Sequence, residues 1–136
     1  MLLVRITIYY VLTIKHNNYD CFYTIGGGIK ANETSTDAVV REVCKETGYL
    51  LSIDRLVFIQ ERFFNANNAC HHEIVFFYLM EPTDVHIENE TCTDQQEEKL
   101  YWLPIGKLQN TNLVPEFLQT ALSNIPEEVV HIVSKE

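Results

Sequence analysis

The stretch that most limits what this chain can become is Gly26–Tyr49, GGGIKANETSTDAVVREVCKETGY. Three consecutive glycines permit a tight turn and a close backbone approach that a Cβ would obstruct. Thr34 or Ser35 offers a side-chain oxygen for a helix N-cap, and Gly48 stands where a helix ends in the left-handed conformation. The spacing predicts a glycine loop running into a helix that stops at Gly48. On a wheel of about 100° per residue, Glu46 falls about 40° from Glu42, so both carboxylates share a face. Val39, Val43, Val40 and Cys44 fill the neighbouring arc and read as the buried stripe, with the glutamates at its solvent edge. Like charges at i,i+4 oppose each other weakly, and a cation between them removes the conflict. Oxygen ligands of this kind, with a glycine-loop carbonyl nearby, suit Mg²⁺ or Mn²⁺ rather than zinc.

The stretch resembles the Nudix box, G-x5-E-x7-R-E-U-x-E-E-x-G-U, where U is a bulky aliphatic residue. Gly27, Glu33, Arg41, Glu42, Val43, Glu46 and Gly48 match it in type and spacing. Two box positions depart: Tyr49 replaces an aliphatic residue, and Lys45 stands in place of the first of two adjacent glutamates. The resemblance implies an α/β fold, a Nudix-like α/β/α sandwich around a mixed, curved sheet. It also implies hydrolysis of a nucleoside diphosphate linked to another moiety, by water attacking phosphorus with help from Mg²⁺ or Mn²⁺. Carried over residue by residue, Glu46 is a metal ligand, Glu42 is a ligand or the general base, and the Gly26 carbonyl is a backbone ligand. Glu33 and Arg41 form a supporting ion pair, and Gly27, Gly28 and Lys45 are substrate-binding positions. The Lys45 ammonium can pair with Glu42, contact a phosphate or face solvent; in each case one acidic ligand is lost and multi-metal binding weakens. Two functions stay open: an active pyrophosphohydrolase, or a catalytically weakened Nudix module that binds a nucleotide as a sensor.

Strand, loop and helix is the context that this reading requires. The opening run MLLVRITIYYVLTI is rich in β-branched and aromatic residues and reads as one long strand buried on both faces. Arg5 interrupts it, and it is too short to span a bilayer. Residues 16–20, HNNYD, signal a turn, and Cys21–Ile25 forms the strand that enters the glycine loop. Further strands are predicted over Tyr49–Ile53, Arg55–Phe64, His72–Met80 and Leu100–Leu103, with an asparagine-rich loop at Asn65–Cys70. A second helix is predicted over Val114–Ser123, capped by Asn112, with Pro115 in its first turn and Phe117, Leu118 and Leu122 facing inward. Glu128–Val133 reads as a short strand or an ordered extension.

Residues 81–98 contain seven acids and no lysine or arginine, the composition of a solvated loop. The resemblance points within it to Glu97 and Glu98, just before Trp102, as an acidic residue reaching the metal site. His71-His72-Glu73 invites a metal reading, but adjacent strand residues point to opposite faces, so the two histidines share an ion poorly. One of these side chains lining the substrate cleft is the alternative to a plain strand-edge pair. A chain of 136 residues reads as one domain, 1–136. The net charge of −9 argues against nucleic acid or an anionic membrane as partner. It leaves room for a small nucleotide substrate, because a divalent ion reverses the local sign. Cys21, Cys44, Cys70 and Cys92 form no C-x-x-C pair, which points to a reduced cytoplasmic chain, with Cys44 as a small apolar residue on the helix stripe. A homodimer is the assembly implied by the resemblance.

Overall fold

The apolar run at the start of the chain makes two strands, not one. In the computed structural model, which describes residues 2–7, 9–83, 87–88, 93 and 95–136, β1 (Leu2–Thr7) and β2 (Tyr10–His16) pair antiparallel, Val4 opposite Leu12. The chain reverses between Thr7 and Tyr10 without glycine, proline or asparagine to signal it. One apolar run thereby supplies two neighbouring strands. Within β2, Val11, Leu12, Thr13 and Ile14 are all buried, so that half of the run is covered on both faces as expected.

The strand β2 has neighbours on both edges. Along one edge it pairs with β6 (Glu98–Pro104) from Tyr10↔Pro104 to His16↔Glu98. Its other edge is shared end to end by β1 and by β3 (Phe22–Thr24), the strand that enters the glycine loop. The two longest strands, β4 (Ile53–Ala66) and β5 (Ala69–Met80), form a hairpin. Only Asn67 and Asn68 lie between them, both with positive φ (51° and 61°), the geometry of the tight turn that matches strand twist. Asparagine tolerates that region better than most residues, so the expected six-residue loop shrinks to two. β5 joins β1 in parallel and β4 takes the C-terminal strand β8 (Val130–Lys135), also in parallel. The predicted strand over Tyr49–Ile53 does not form; β4 begins at Ile53.

The predicted second helix is mostly absent. A two-residue strand β7 (Leu113–Val114) pairs in parallel with β3, Phe22 opposite Leu113, and takes the residues that would have opened the helix. Only α2 (Leu118–Ala121) remains, after a 3₁₀ turn at Ile105–Asn110. Asn112 caps nothing; its side-chain amide donates to the Asp20 carbonyl at 2.9 Å. Leu118 and Leu122 are nonetheless buried, as the spacing predicted, each contributing about 1.5–3 kcal/mol by area.

The layers are set by strand alternation. Leu12, Ile14, Tyr78 and Met80 pack on one face with Val39 and Val43 of α1 (Ser35–Thr47). Val11, Phe77 and Leu79 pack on the other with Leu118 and Leu122. Helix, mixed sheet and helix form the expected sandwich. Among the described residues no helix is long and apolar enough to cross a membrane. Cys92 and part of the acidic stretch (Asp84, Glu90 and Asp94) fall outside the described residues.

Candidate active site

The site is built where β3 hands over to α1. Thr34 caps the helix, accepting from the Asp37 amide at 3.1 Å, and Gly48 closes it in the left-handed region, φ 79°, with its amide on the Cys44 carbonyl at 2.8 Å. The buried face is rotated from the one the wheel indicated. Ala38, Val39, Glu42, Val43, Glu46 and Thr47 are buried, whereas Cys44 is exposed. At Glu42 the reason is the glycine loop, which folds back over its carboxylate. A Cβ added at Gly27 would lie 2.6 Å from Glu42 Cδ. Backbone and carboxylate occupy space that only glycine leaves open.

Arg41 ties loop and helix together. Its Nε and Nη2 form a two-pronged pair with Glu33 at 2.6 and 2.9 Å, and Nη2 also donates to the Gly28 carbonyl at 3.0 Å. Nη1 donates to Glu42 Oε1. Glu33 in turn accepts from the Lys30 amide at 2.9 Å. The Arg41 guanidinium first, and that amide second, hold the Glu33 carboxyl down from about 4.5 to about 2. Its two glutamates raise Arg41 further above its ordinary value. Lys45 resolves to the first of its three alternatives: Nζ lies 3.7 Å from Glu42 Oε2.

Glu42 and Glu46 are each only 7% exposed, one helical turn apart. Buried carboxylates need compensating charge or hydrogen bonds. Two hard oxygen donors beside a glycine-loop backbone suit a divalent cation with oxygen preference. Among the described residues no three His, Cys, Asp or Glu side chains converge as a ligand group. Two buried carboxylates on the helix that the glycine loop packs against fit such an ion.

Beside Glu42 opens a cleft of about 440 Å³, of which Glu46 and Lys45 are not lining residues. Thr24, Gly26–Gly28, Glu42 and Glu73 line it together with the apolar Ile29, Ile74, Val75 and Phe76. The Ser35 and Tyr78 hydroxyls meet at 2.6 Å within it. Sequence reasoning missed Thr24 and Ser35 as lining residues. Ser35 and Tyr78 are 43 positions apart and carry no local signal.

The sequence candidates divide accordingly. Gly26, Gly27, Gly28, Glu33, Arg41, Glu42, Lys45 and Glu46 cluster around the loop and helix. Glu97 does not line the cleft; its carboxylate lies 3.1 Å from His16 Nε2, and its carbonyl accepts from the Asn17 amide at 2.8 Å. Glu98 pairs in register with His16. His71 and His72 lie outside the cleft too, stacked on Phe64 and Phe63, whereas Glu73 lines it.

A NUDIX domain profile matches residues 2–121. Among solved structures, a MutT protein from Bacillus halodurans superposes with TM-score 0.72 at 16% identity, over 98% of this chain and 86% of that one. A MutT protein from Methanosarcina mazei gives 0.67 at 16% identity, over 86% and 83% of the two chains. An ADP-ribose pyrophosphatase from Streptococcus suis gives 0.61 at 16% identity, over 98% and 95%. No curated protein sequence matches. At such identities the superpositions speak for the fold. The profile match, the sandwich and the loop-to-helix geometry agree, and the chain belongs to the Nudix family of phosphoanhydride hydrolases.

Proposed function

We propose that this protein is a Mg²⁺-dependent pyrophosphohydrolase acting on a nucleoside diphosphate linked to another moiety. The observation that carries this reading is the close packing of the Gly27 backbone on the Glu42 carboxylate, with Glu46 buried on the same helix face. In this reading the Gly26 carbonyl is the third protein oxygen offered to the ion, after Glu42 and Glu46. Glu42 and Glu46 would hold a divalent ion there, which would supply charge neutralisation at the diphosphate and a bound water of lowered pKa.

The chain's own residues hold, orient and enclose. Glu42 and Glu46 supply the anionic cradle. Arg41 fixes Glu42 from one side while clamping Glu33 and the Gly28 carbonyl, so helix and loop move as one piece. The apolar Ile29, Ile74, Val75 and Phe76 suit the less polar part of a nucleotide, leaving the diphosphate beside the glycines. The new bond joins the water oxygen to phosphorus, and the phosphoanhydride bond breaks. ADP-ribose-like compounds, nucleoside triphosphates and dinucleoside polyphosphates all carry that bond. The free Cys21, Cys44 and Cys70 are compatible with a reduced, cytoplasmic setting.

The test is a panel of these three compound classes, each with Mg²⁺, Mn²⁺ or chelator, followed by identification of both products. Metal-dependent release of a nucleoside monophosphate from at least one compound is expected. Turnover that survives the chelator undiminished would contradict the reading.

A further inference from the structure

The sheet ends on one side at β8, which pairs with β4 and, among the described residues, with no other strand. Its register runs from Phe58↔Val130 to Phe63↔Lys135 without a bulge, and the Glu136 amide donates to the Phe63 carbonyl at 2.8 Å. In a parallel ladder alternate residues turn their amide and carbonyl toward the neighbouring strand. Ile132 and Ser134 therefore face β4 with their backbone groups, as Glu136 does, and His131, Val133 and Lys135 turn theirs outward. Soluble proteins blunt such an edge with bulges, prolines or charges. Residues 130–135 contain no proline and no acid, and one lysine. Val129, Val130 and Val133 are 48%, 40% and 55% exposed, so the edge is apolar as well as open.

We propose that β8 pairs antiparallel with β8 of a second copy of this chain, across a two-fold axis at His131, so that the sheet continues through a dimer. A two-fold axis perpendicular to the sheet keeps every side chain on its own face, so the outward-turned residues oppose one another. With the axis at His131, Val129 opposes Val133 of the second copy on one face, and Val130 opposes Ile132 of the second copy on the other. Apolar meets apolar on both. Lys135 of each copy then comes against the Glu127–Glu128 bend of the other, two contacts of opposite charge. An axis at Ile132 would set Val129 against Lys135, and an axis at Val133 would set His131 against Lys135. This self-complementary pattern selects a second copy as the occupant. A single strand pair is a small interface, and the dimer forms in proportion to concentration.

Sedimentation equilibrium from about 1 to about 200 µM tests this for wild type, Val133→Lys, Lys135→Glu and the double variant Glu127→Lys/Lys135→Glu. The wild-type mass is expected to climb toward that of two chains as concentration rises. Val133→Lys should weaken the dimer at least about tenfold, because symmetry places the new charge against Val129 twice. Lys135→Glu should weaken it about fivefold, and the double variant should return to within about twofold of wild type. Thermal unfolding at the lowest concentration is expected to be alike for all four, which separates lost pairing from lost fold. A wild type that stays monomeric throughout would overturn the proposal. So would a dimer that Val133→Lys and Lys135→Glu leave unchanged, or a loss in Lys135→Glu that the charge exchange fails to restore.

Discussion

Two carboxylates in this molecule each sit between two basic side chains, and of these two only Glu42 lines the cleft. Glu42 is held by Arg41 and approached by Lys45; Glu61 accepts from His72 and His131 at 3.0 and 3.2 Å across three adjacent strands. By residue type alone, Glu61 with two histidines is the more suggestive metal set. The surroundings reverse that ranking. The Glu61 side chain is 31% exposed and braces β4, β5 and β8 on the surface. Glu42 is buried, pressed by a glycine backbone, and lines a cleft. Enclosure by backbone, with a second carboxylate one turn away, separates a chemical site from a surface staple.

The largest effect expected from breaking this contrast is at Gly27. Gly27→Ala would put a methyl into the Glu42 carboxylate, and Arg41 leaves that carboxylate little freedom to yield. A loss of about 100-fold in kcat/KM is expected, since an ångström of misplacement costs that much. Steady-state kinetics on the best panel substrate would check it.

Glu33→Gln comes next. Removing the charged half of the Arg41 clamp frees Arg41 and loosens the loop, with about tenfold lower kcat/KM expected. This substitution also carries a pH signature. Because folding lowers the Glu33 carboxyl from about 4.5 to about 2, the wild type binds fewer protons there than its unfolded chain does. The stability contributed by the charged form is present above about pH 4.5 and lost as pH falls toward 2. The Tm difference between wild type and Glu33→Gln should therefore shrink across that window, and a constant difference would contradict the clamp.

Lys45→Glu sharpens the comparison in the other direction. It replaces a cation beside Glu42 by a third acid, so divalent-ion affinity should rise several-fold, as ligand charge count predicts. Isothermal titration with Mn²⁺ would show it. The smallest effect belongs to the surface staple. Glu61→Gln should cost under about 1 kcal/mol of stability and leave kcat/KM within about twofold, because half-exposed pairs contribute little.

The same division between local and enclosing interactions decides how much the sequence disclosed. The caps of α1, Thr34 and Gly48, were legible because capping depends on a few consecutive residues. The Glu33–Arg41 pair came with the box spacing and is present. The buried position of Glu42 was not legible, since it depends on how the glycine loop returns over the helix. The turn between β1 and β2 carries no turn residues, and pairing on both sides of the reversal decides it. The second helix failed because Leu113 and Val114 found a strand partner in β3, a tertiary preference stronger than the local pattern.

The most direct test of the central claim is Mn²⁺ binding followed by electron paramagnetic resonance in wild type, Glu46→Gln and Glu61→Gln. If the enclosed carboxylate pair holds the ion, Glu46→Gln should weaken binding at least about tenfold and Glu61→Gln should leave it unchanged. Unaltered binding in Glu46→Gln, or loss of binding in Glu61→Gln, would place the ion elsewhere and contradict the account.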